Sequence, residues 1–267
     1  RLTGPVIGRP KSATFRTTDV VGLDTLVHVS NGVKNNVPND EMADLFQIPD
    51  YIQKMVDGKM LGDKTKQGFF KKTKTPEGKR EILVLDINSM DYGPRSKPKF
   101  ASLEASKSID DLGSRLKFLF GFKDRAGDFY RAHFSSLFAY VSHRVPEISD
   151  EVYRLDDAMK AGFGYEIGPF EAWDAIGVKG GLAEIENQGL VPANWIKTMV
   201  DSGAESFYRI HDGKRQFWDQ KTASYIDIPG QDGMVSLMIA KHQNVLWKNS
   251  GTTITDLGDG ILNVEFH

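Results

Sequence analysis

The sharpest pattern in the chain lies near its middle, where Phe134, Leu137, Phe138, Val141 and Val145 recur along one helical face. Pro146 at the end of that series predicts a stop or a kink. Val152, Leu155 and Met159 predict the next helix, closed by Gly162 and Gly164. Shorter helices are expected from Pro169 and near Pro192, the latter carrying Trp195, Ile196, Met199 and Val200. The first part of the chain reads similarly. Val20, Leu23, Val27 and Val33 predict a helix over 19–35, with Thr17 or Thr18 as the N-cap whose hydroxyl accepts from free N–H groups of the first turn. Two short helices follow, over 40–45 and from Pro49, where Ile52, Met55 and Val56 precede a closing Gly58.

Elsewhere the period changes. Phe69-Phe70 and Ile82–Leu85 are apolar runs separated by the turn cluster Thr75-Pro76-Glu77-Gly78, which predicts a small β-hairpin. Pro94 and Pro98 make 92–99 an extended connection, and helices resume near Ser108. Beyond Arg215 the pattern is extended, with Gly258-Asp259-Gly260 as a hairpin turn between 252–256 and 261–266. The expected class is therefore mainly α: two helical bundles, a small β insertion and an extended C-terminal tail.

The two bundles are expected to be related. Phe15, Asp19 and Gly22 match Phe170, Asp174 and Gly177 at one constant offset. Tyr51–Asp57 matches Trp195–Asp201 at a smaller offset, and Phe69-Phe70 matches Phe207-Tyr208 at a smaller one still. Order is kept while the gaps shrink, as in a duplicated unit whose second copy lost loop residues. Two such units can pack as an internal pseudo-dimer.

Composition narrows the chemistry. With 267 residues, 40% hydrophobic and 26% charged, the chain has the makeup of a globular protein with two domains or more. A net charge of −2 supplies no field toward nucleic acid or membrane. The absence of cysteine excludes disulfides, thiolate catalysis and cysteine-ligated zinc, and fits a reducing, cytoplasmic setting. No run reaches the length of a membrane span. Arg1–Pro5 shows neither an initiator Met nor a signal pattern, so the chain is expected to be part of a longer protein. Gly162, Gly164 and Gly168 approximate a dinucleotide fingerprint but follow a helix, not a strand, which favours a helix exit. His28, His133, His143, His211, His242 and His267 form no zinc motif; His143 and Glu147 are separated by Pro146. No metal site and no acid–base pair is expected. Basic residues gather at Lys54, Lys59, Lys64, Lys66, Lys71, Lys72, Lys74, Lys79 and Arg80, either a solvated surface or a face for phosphates.

A family resemblance adds to this. Gly4-Pro5 and Gly8–Asp24 closely resemble the C-terminal domain of 3-hydroxyacyl-CoA dehydrogenases in multifunctional β-oxidation proteins, and Leu61–Phe70 resembles that domain's closing motif. Ala158–Lys160, Gly164–Glu171 and Asp174–Gly177 resemble the same signature again. Asp256–His267 is similar to the first strands of an enoyl-CoA hydratase domain. The resemblance implies bundles like the C-terminal part of 6-phosphogluconate dehydrogenase, over residues 1–107 and, in degenerate form, 108–215. Residues 216–267 would be a linker and the start of a hydratase-like segment.

It also implies fatty-acid β-oxidation chemistry in a full-length parent, where an NAD-binding domain supplies a histidine base held by a glutamate. The helical domain closes over 3-hydroxyacyl-CoA and gives one asparagine from its first long helix. In this chain the first copy begins after that helix, and the second has Arg131–His133 there, so no catalytic residue and no cofactor-binding residue is assigned to it. The implied substrate-binding residues are Arg9, Pro10, Lys11 and Ser12, beside the substrate entrance; an ordinary loop is the competing reading. The implied partners are acyl-CoA, the parent's NAD-binding domain and a downstream enoyl-CoA hydratase domain. The alternative is a helical assembly module that touches no substrate.

Overall fold

The computed structural model describes residues 2–233 and 235–266, without the side chains of Met238, His242 and Gln243; Arg1, Met234 and His267 lie outside the described residues. The chain divides into two compact units, Arg1–Arg115 with Asp124–Ala126, and Leu116–Lys123 with Gly127–His267.

In the first unit, a 3-10 turn at Pro5–Ile7 precedes α1 (Ala13–Val21) and α2 (Leu23–Asn36). The single helix expected over 19–35 is thus two, and Thr17 and Thr18 lie inside α1 rather than capping it. The break falls at Gly22, whose φ of 106° belongs to glycine alone and turns the chain between the two helices. The expected helix at 40–45 is a 3-10 turn, Ala43–Phe46, followed by α3 (Asp50–Asp57). Strands β1 (Phe70–Lys74), β2 (Arg80–Leu85) and β3 (Tyr92–Pro94) then form an antiparallel meander, with Phe70 opposite Val84 and Leu85 opposite Tyr92. The short helix α4 (Ala101–Ala105) follows. Leu23, Ile52, Met55, Phe69 and Leu85 form the core, so α2, α3 and the sheet meet there.

The chain passes between units within α5 (Leu112–Gly121) and α6 (Arg125–Glu147). Helix α6 bends at Val145, which has φ −109° and ψ 115°, immediately before Pro146. Helices α7 (Val152–Phe163), α8 (Pro169–Ile176), α9 (Val178–Asn187) and α10 (Asn194–Asp201) follow. Gly177 separates α8 from α9 at φ 108°, as Gly22 separates α1 from α2. A second antiparallel meander follows α10: β4 (Tyr208–His211), β5 (Lys214–Asp219) and β6 (Ser224–Asp227). The core here is aromatic, with Tyr130, Phe134, Phe138, Phe170, Trp173, Phe207 and Phe217 fully buried. Each such ring contributes roughly 1.5–3 kcal/mol through its removal from water.

Helix α11 (Leu237–Gln243) and a third sheet, β7 (Val245–Lys248), β8 (Thr252–Gly258) and β9 (Ile261–Phe266), complete the chain. These sheets overturn the expected class. Rather than two helical bundles with one β insertion and an extended tail, the chain is 48% helix and 18% strand, and the strands form three separate antiparallel sheets. The physical reason is hydrogen-bond satisfaction: an extended segment packed on a core must pair its N–H and C=O groups, and neighbouring strands are the nearest partners.

Candidate functional site

Arg9, Pro10, Lys11 and Ser12 stand together in the turn that leads into α1. The Gly8 N–H donates to the Pro5 carbonyl at 3.1 Å, and the Arg9 N–H donates to that of Gly4 at 3.3 Å. From α5, Arg115 Nε donates to the Val6 carbonyl at 3.0 Å. Thr3 Oγ1 accepts from both the N–H and the hydroxyl of Thr14, at 3.2 and 2.9 Å. The turn is therefore fastened on three sides. Ser12 precedes α1, yet its hydroxyl accepts from Thr17 Oγ1 at 2.8 Å instead of capping the helix. Pro10 and Lys11 are exposed; Arg9 and Ser12 are half-buried.

One turn further along α1, Arg16 holds Asp63 with two parallel bonds of 2.8 and 2.5 Å. That guanidinium keeps the Asp63 carboxyl below the usual carboxylate range, and Lys72 adds to the effect from 3.7 Å. Below it lies Asp19, buried, whose carboxylate accepts the Phe69 N–H at 2.8 Å and the Phe70 N–H at 2.9 Å. Burial raises the Asp19 pKa against those two donors. Asp19 thus latches α1 to the start of β1. The approach is so close that a Cβ on Gly68 would sit 2.2 Å from Asp19 Oδ1, and one on Gly62 would sit 2.1 Å from the Asp19 carbonyl oxygen.

The second unit holds the same latch. Asp174 on α8 accepts the N–H groups of Phe207 and Tyr208 at 2.7 and 2.9 Å. Around it lies a denser charged network. Asp156 on α7 accepts the Phe170 and Glu171 N–H groups at 2.8 and 3.0 Å, capping α8, and the Tyr208 hydroxyl at 2.7 Å. Glu171 accepts from the Gly168 N–H, Lys160 and Arg215, at 2.8, 3.0 and 2.9 Å. Burial pushes both Asp156 and Asp174 up to about 7. Burial acts the same way on Glu171, but Gly168, Arg215 and Lys160 outweigh it and hold that carboxyl below its ordinary range. The Arg215 guanidinium also lies over the Tyr208 ring, 4.1 Å from its centroid. Sequence reasoning singled out Asp19 and Asp174 as repeat and signature positions and Glu171 only as part of the resembling signature, and missed the roles of Asp156 and Arg215 altogether. Their partners are distant in sequence, and no local motif marks them.

The other sequence candidates fall to structural roles. Gly164 is the C-cap of α7, and a Cβ on Gly168 would lie 2.3 Å from Asp156 Cβ. These glycines end one helix and begin another, and among the described residues every sheet is antiparallel. They do not fit a dinucleotide, whose phosphates require a strand running into a helix N-terminus. His133 stacks on Phe129, His143 Nε2 lies 3.0 Å from the Val191 carbonyl, and His211 lies 3.4 Å from Asp212. Glu147 pairs with Arg144 at 3.0 Å rather than with His143. In the basic cluster, Lys64 pairs with Asp24 and Lys71 lies over the Tyr92 ring, while Lys54, Lys59, Lys66, Lys74, Lys79 and Arg80 are exposed. Among the described residues no group of three or more His, Cys, Asp or Glu side chains is placed to hold a metal, and no helix is long and apolar enough to cross a membrane.

Residues 6–72 match the family described as "3-hydroxyacyl-CoA dehydrogenase, C-terminal domain". The matched span runs from the turn below Arg9 to Lys72, and includes Arg16, Asp63 and the Asp19 latch. Over its whole length of 267 residues the chain is 41% identical to a "Probable 3-hydroxyacyl-CoA dehydrogenase" of Bacillus subtilis, of which it spans 33%. A protein of Deinococcus radiodurans with the same description is 47% identical over 74 residues, 28% of this chain and 20% of that protein. A "Putative fatty acid oxidation complex trifunctional enzyme" of Rickettsia felis is 26% identical over 188 residues, 69% of this chain and 24% of that protein. The chain spans a third or less of each of these curated relatives.

Proposed function

The chain is a C-terminal portion of the 3-hydroxyacyl-CoA dehydrogenase family, and from that premise we propose that it closes over 3-hydroxyacyl-CoA and braces the assembly of an NAD-dependent parent enzyme. In this reading the parent oxidises 3-hydroxyacyl-CoA to the 3-oxoacyl-CoA in fatty-acid β-oxidation. The cofactor, the histidine base and its glutamate belong to another part of that parent. The work of this chain is to position and enclose. A downstream enoyl-CoA hydratase domain follows the tail, and the recurrence of latch, glycine break and meander reflects internal duplication.

The observation that carries the reading is the exposure of Pro10 and Lys11 at the head of α1, inside the matched span, on a turn held by Thr3, Gly4 and Arg115. A fixed backbone beneath an exposed ammonium can meet a phosphate of coenzyme A with only the lysine side chain left to order at the moment of binding. The Arg16–Asp63 pair stiffens the helix that presents it. Replacing Lys11 and Ser12 with alanine in the full-length parent is expected to raise KM for 3-hydroxyacyl-CoA roughly tenfold with little change in kcat, the signature of lost uniform binding. The purified 267-residue chain is expected to reduce no NAD with the same substrate; measurable turnover would contradict this division of labour.

The second reading is an assembly module without substrate contact. What favours it is the row of exposed apolar side chains along α1 and α2, Phe15, Val20, Val21, Leu26 and Val29. An unchanged KM in the Lys11/Ser12 double variant selects it.

A further inference from the structure

We propose that the outward face of the sheet formed by β1, β2 and β3 docks on an anionic lipid bilayer, meeting its headgroups without spanning it. Such contact is independent of whether Lys11 meets substrate. The net charge of −2 belongs to the chain as a whole, and its distribution is uneven. Between Phe70 and Phe100 stand eight lysine and arginine residues against four aspartate and glutamate residues.

The strand period decides where they point. Leu85 and Tyr92, opposite one another, take the side that meets the core, and by alternation Glu81 falls on that side too. Lys72, Lys74, Arg80 and Ile82 take the other side and are all exposed, Lys72 opposite Ile82 and Lys74 opposite Arg80. Ile82 is 51% exposed among these cations. Arg95, Lys97 and Lys99 follow β3 directly and are exposed as well. Most of these charges are unanswered. Lys72 lies 3.7 Å from Asp63, but among the described residues Lys74, Lys79, Arg80, Arg95, Lys97 and Lys99 pair with no carboxylate. In the second unit Lys179, Lys197, Lys214 and Lys221 each meet one. Asp86 and Asp91 lie at the far end of β2, where Asp86 is taken by the N–H groups of Asn88 and Ser89.

The arrangement selects the partner. Lysines on an edge strand such as β1 deter pairing with a foreign strand, but β2 is the middle strand, so that role explains neither Arg80 nor Ile82. A small phosphate ligand needs cations converging in a recess, whereas alternate positions on paired strands set these side by side on one face. A single-stranded nucleic acid calls for aromatic side chains among the cations, and the exposed residues of this face include none. A bilayer carrying anionic lipid offers a plane of negative charge to the cations and, beneath its headgroups, an apolar layer to Ile82.

Sedimentation of the 267-residue chain with vesicles tests this. Vesicles of phosphatidylcholine and phosphatidylglycerol in equal parts are expected to carry the chain down at low salt, and vesicles of phosphatidylcholine alone are not. Each cation near such a surface is worth roughly fivefold in partitioning, so Lys74→Ala with Arg80→Ala is expected to weaken it roughly 25-fold. Neither side chain has a partner to lose, and circular dichroism should show the fold unchanged. The control, Lys117→Ala with Lys123→Ala, removes the same charge from two exposed positions outside the face and should change partitioning little. Ile82→Ser is expected to weaken it roughly fivefold. Equal sedimentation with both kinds of vesicle, or with neither, overturns the proposal, as does an equal loss in the two double variants. An unchanged Ile82→Ser variant also overturns it, in favour of an acidic protein partner that reads charge alone. Release from the vesicles by micromolar coenzyme A overturns it in favour of a soluble phosphate ligand.

Discussion

The latch in the second unit makes an unusual demand on pH. Asp174 is held by two N–H donors that favour its ionised form, yet burial pushes it up to about 7. In the unfolded chain the same carboxyl titrates near 3.8. The folded state therefore binds the proton more tightly than the unfolded state. The group's stabilising contribution is complete below the unfolded value and is lost as pH rises toward the folded one. At about 1.4 kcal/mol per unit, the fall between pH 5 and pH 7 is about 3 kcal/mol, and the contribution is flat above that. Asp174→Asn removes this titration. Its amide can accept only one of the two N–H groups and turns its own NH₂ toward the other, at a cost of about 1–3 kcal/mol. The variant is thus expected to be less stable than the natural chain at pH 5, with the gap closing or reversing by pH 8. Asp156, also pushed up to about 7, leaves a residual slope in the variant.

Urea unfolding followed by tryptophan fluorescence reads this unit selectively, since Trp173, Trp195, Trp218 and Trp247 all lie in it. A natural chain whose stability is flat or rises between pH 5 and pH 8 would refute the reasoning, because burial would then not be winning over the two donors. So would a variant that keeps the whole fall.

Gly168→Ala should destabilise the second unit by about 2–3 kcal/mol, because its Cβ meets Asp156, whereas Gly162→Ala, with open space around it, should be neutral or stabilising; the same urea titration separates them. In the first unit Gly68→Ala should be comparably harmful, since its Cβ falls against the Asp19 carboxylate; thermal unfolding by circular dichroism would show a lowered first transition. Arg16→Ala should cost only about 0.5–1 kcal/mol despite the paired bonds, because the two partners are 32% and 43% exposed, and that loss should shrink in high salt.

How much of this was legible in the sequence depends on where each residue's partners lie. Helices α3, α6, α7, α8 and α10 could be read because a helical face is recorded within one or two turns. The division at Gly22 was written in the sequence too, since Gly22 aligned with Gly177, but apolar periodicity ran across the gap and concealed it. The second meander was legible only as extended chain beyond Arg215; β4 and the strand pairing were not. Tyr208–His211 and Lys214–Asp219 carry Arg, His, Lys and Gln among their apolar residues, so neither reads as a strand by alternation. Yet Phe207-Tyr208 aligned with Phe69-Phe70, and Phe70 opens β1 just as Tyr208 opens β4. In both units the residue pair donates its two N–H groups to one buried aspartate. Position relative to that aspartate, rather than local β-propensity, starts the strand: once two consecutive N–H groups are fixed on a carboxylate, the chain leaves extended and must find a neighbour to pair with. The charged network of Asp156, Glu171, Lys160 and Arg215 escapes any such inference. At the aligned position the first unit has Arg16 where the second has Glu171, and answers it with Asp63 from the loop ahead of β1, so each unit neutralises that corner with a different set of charges.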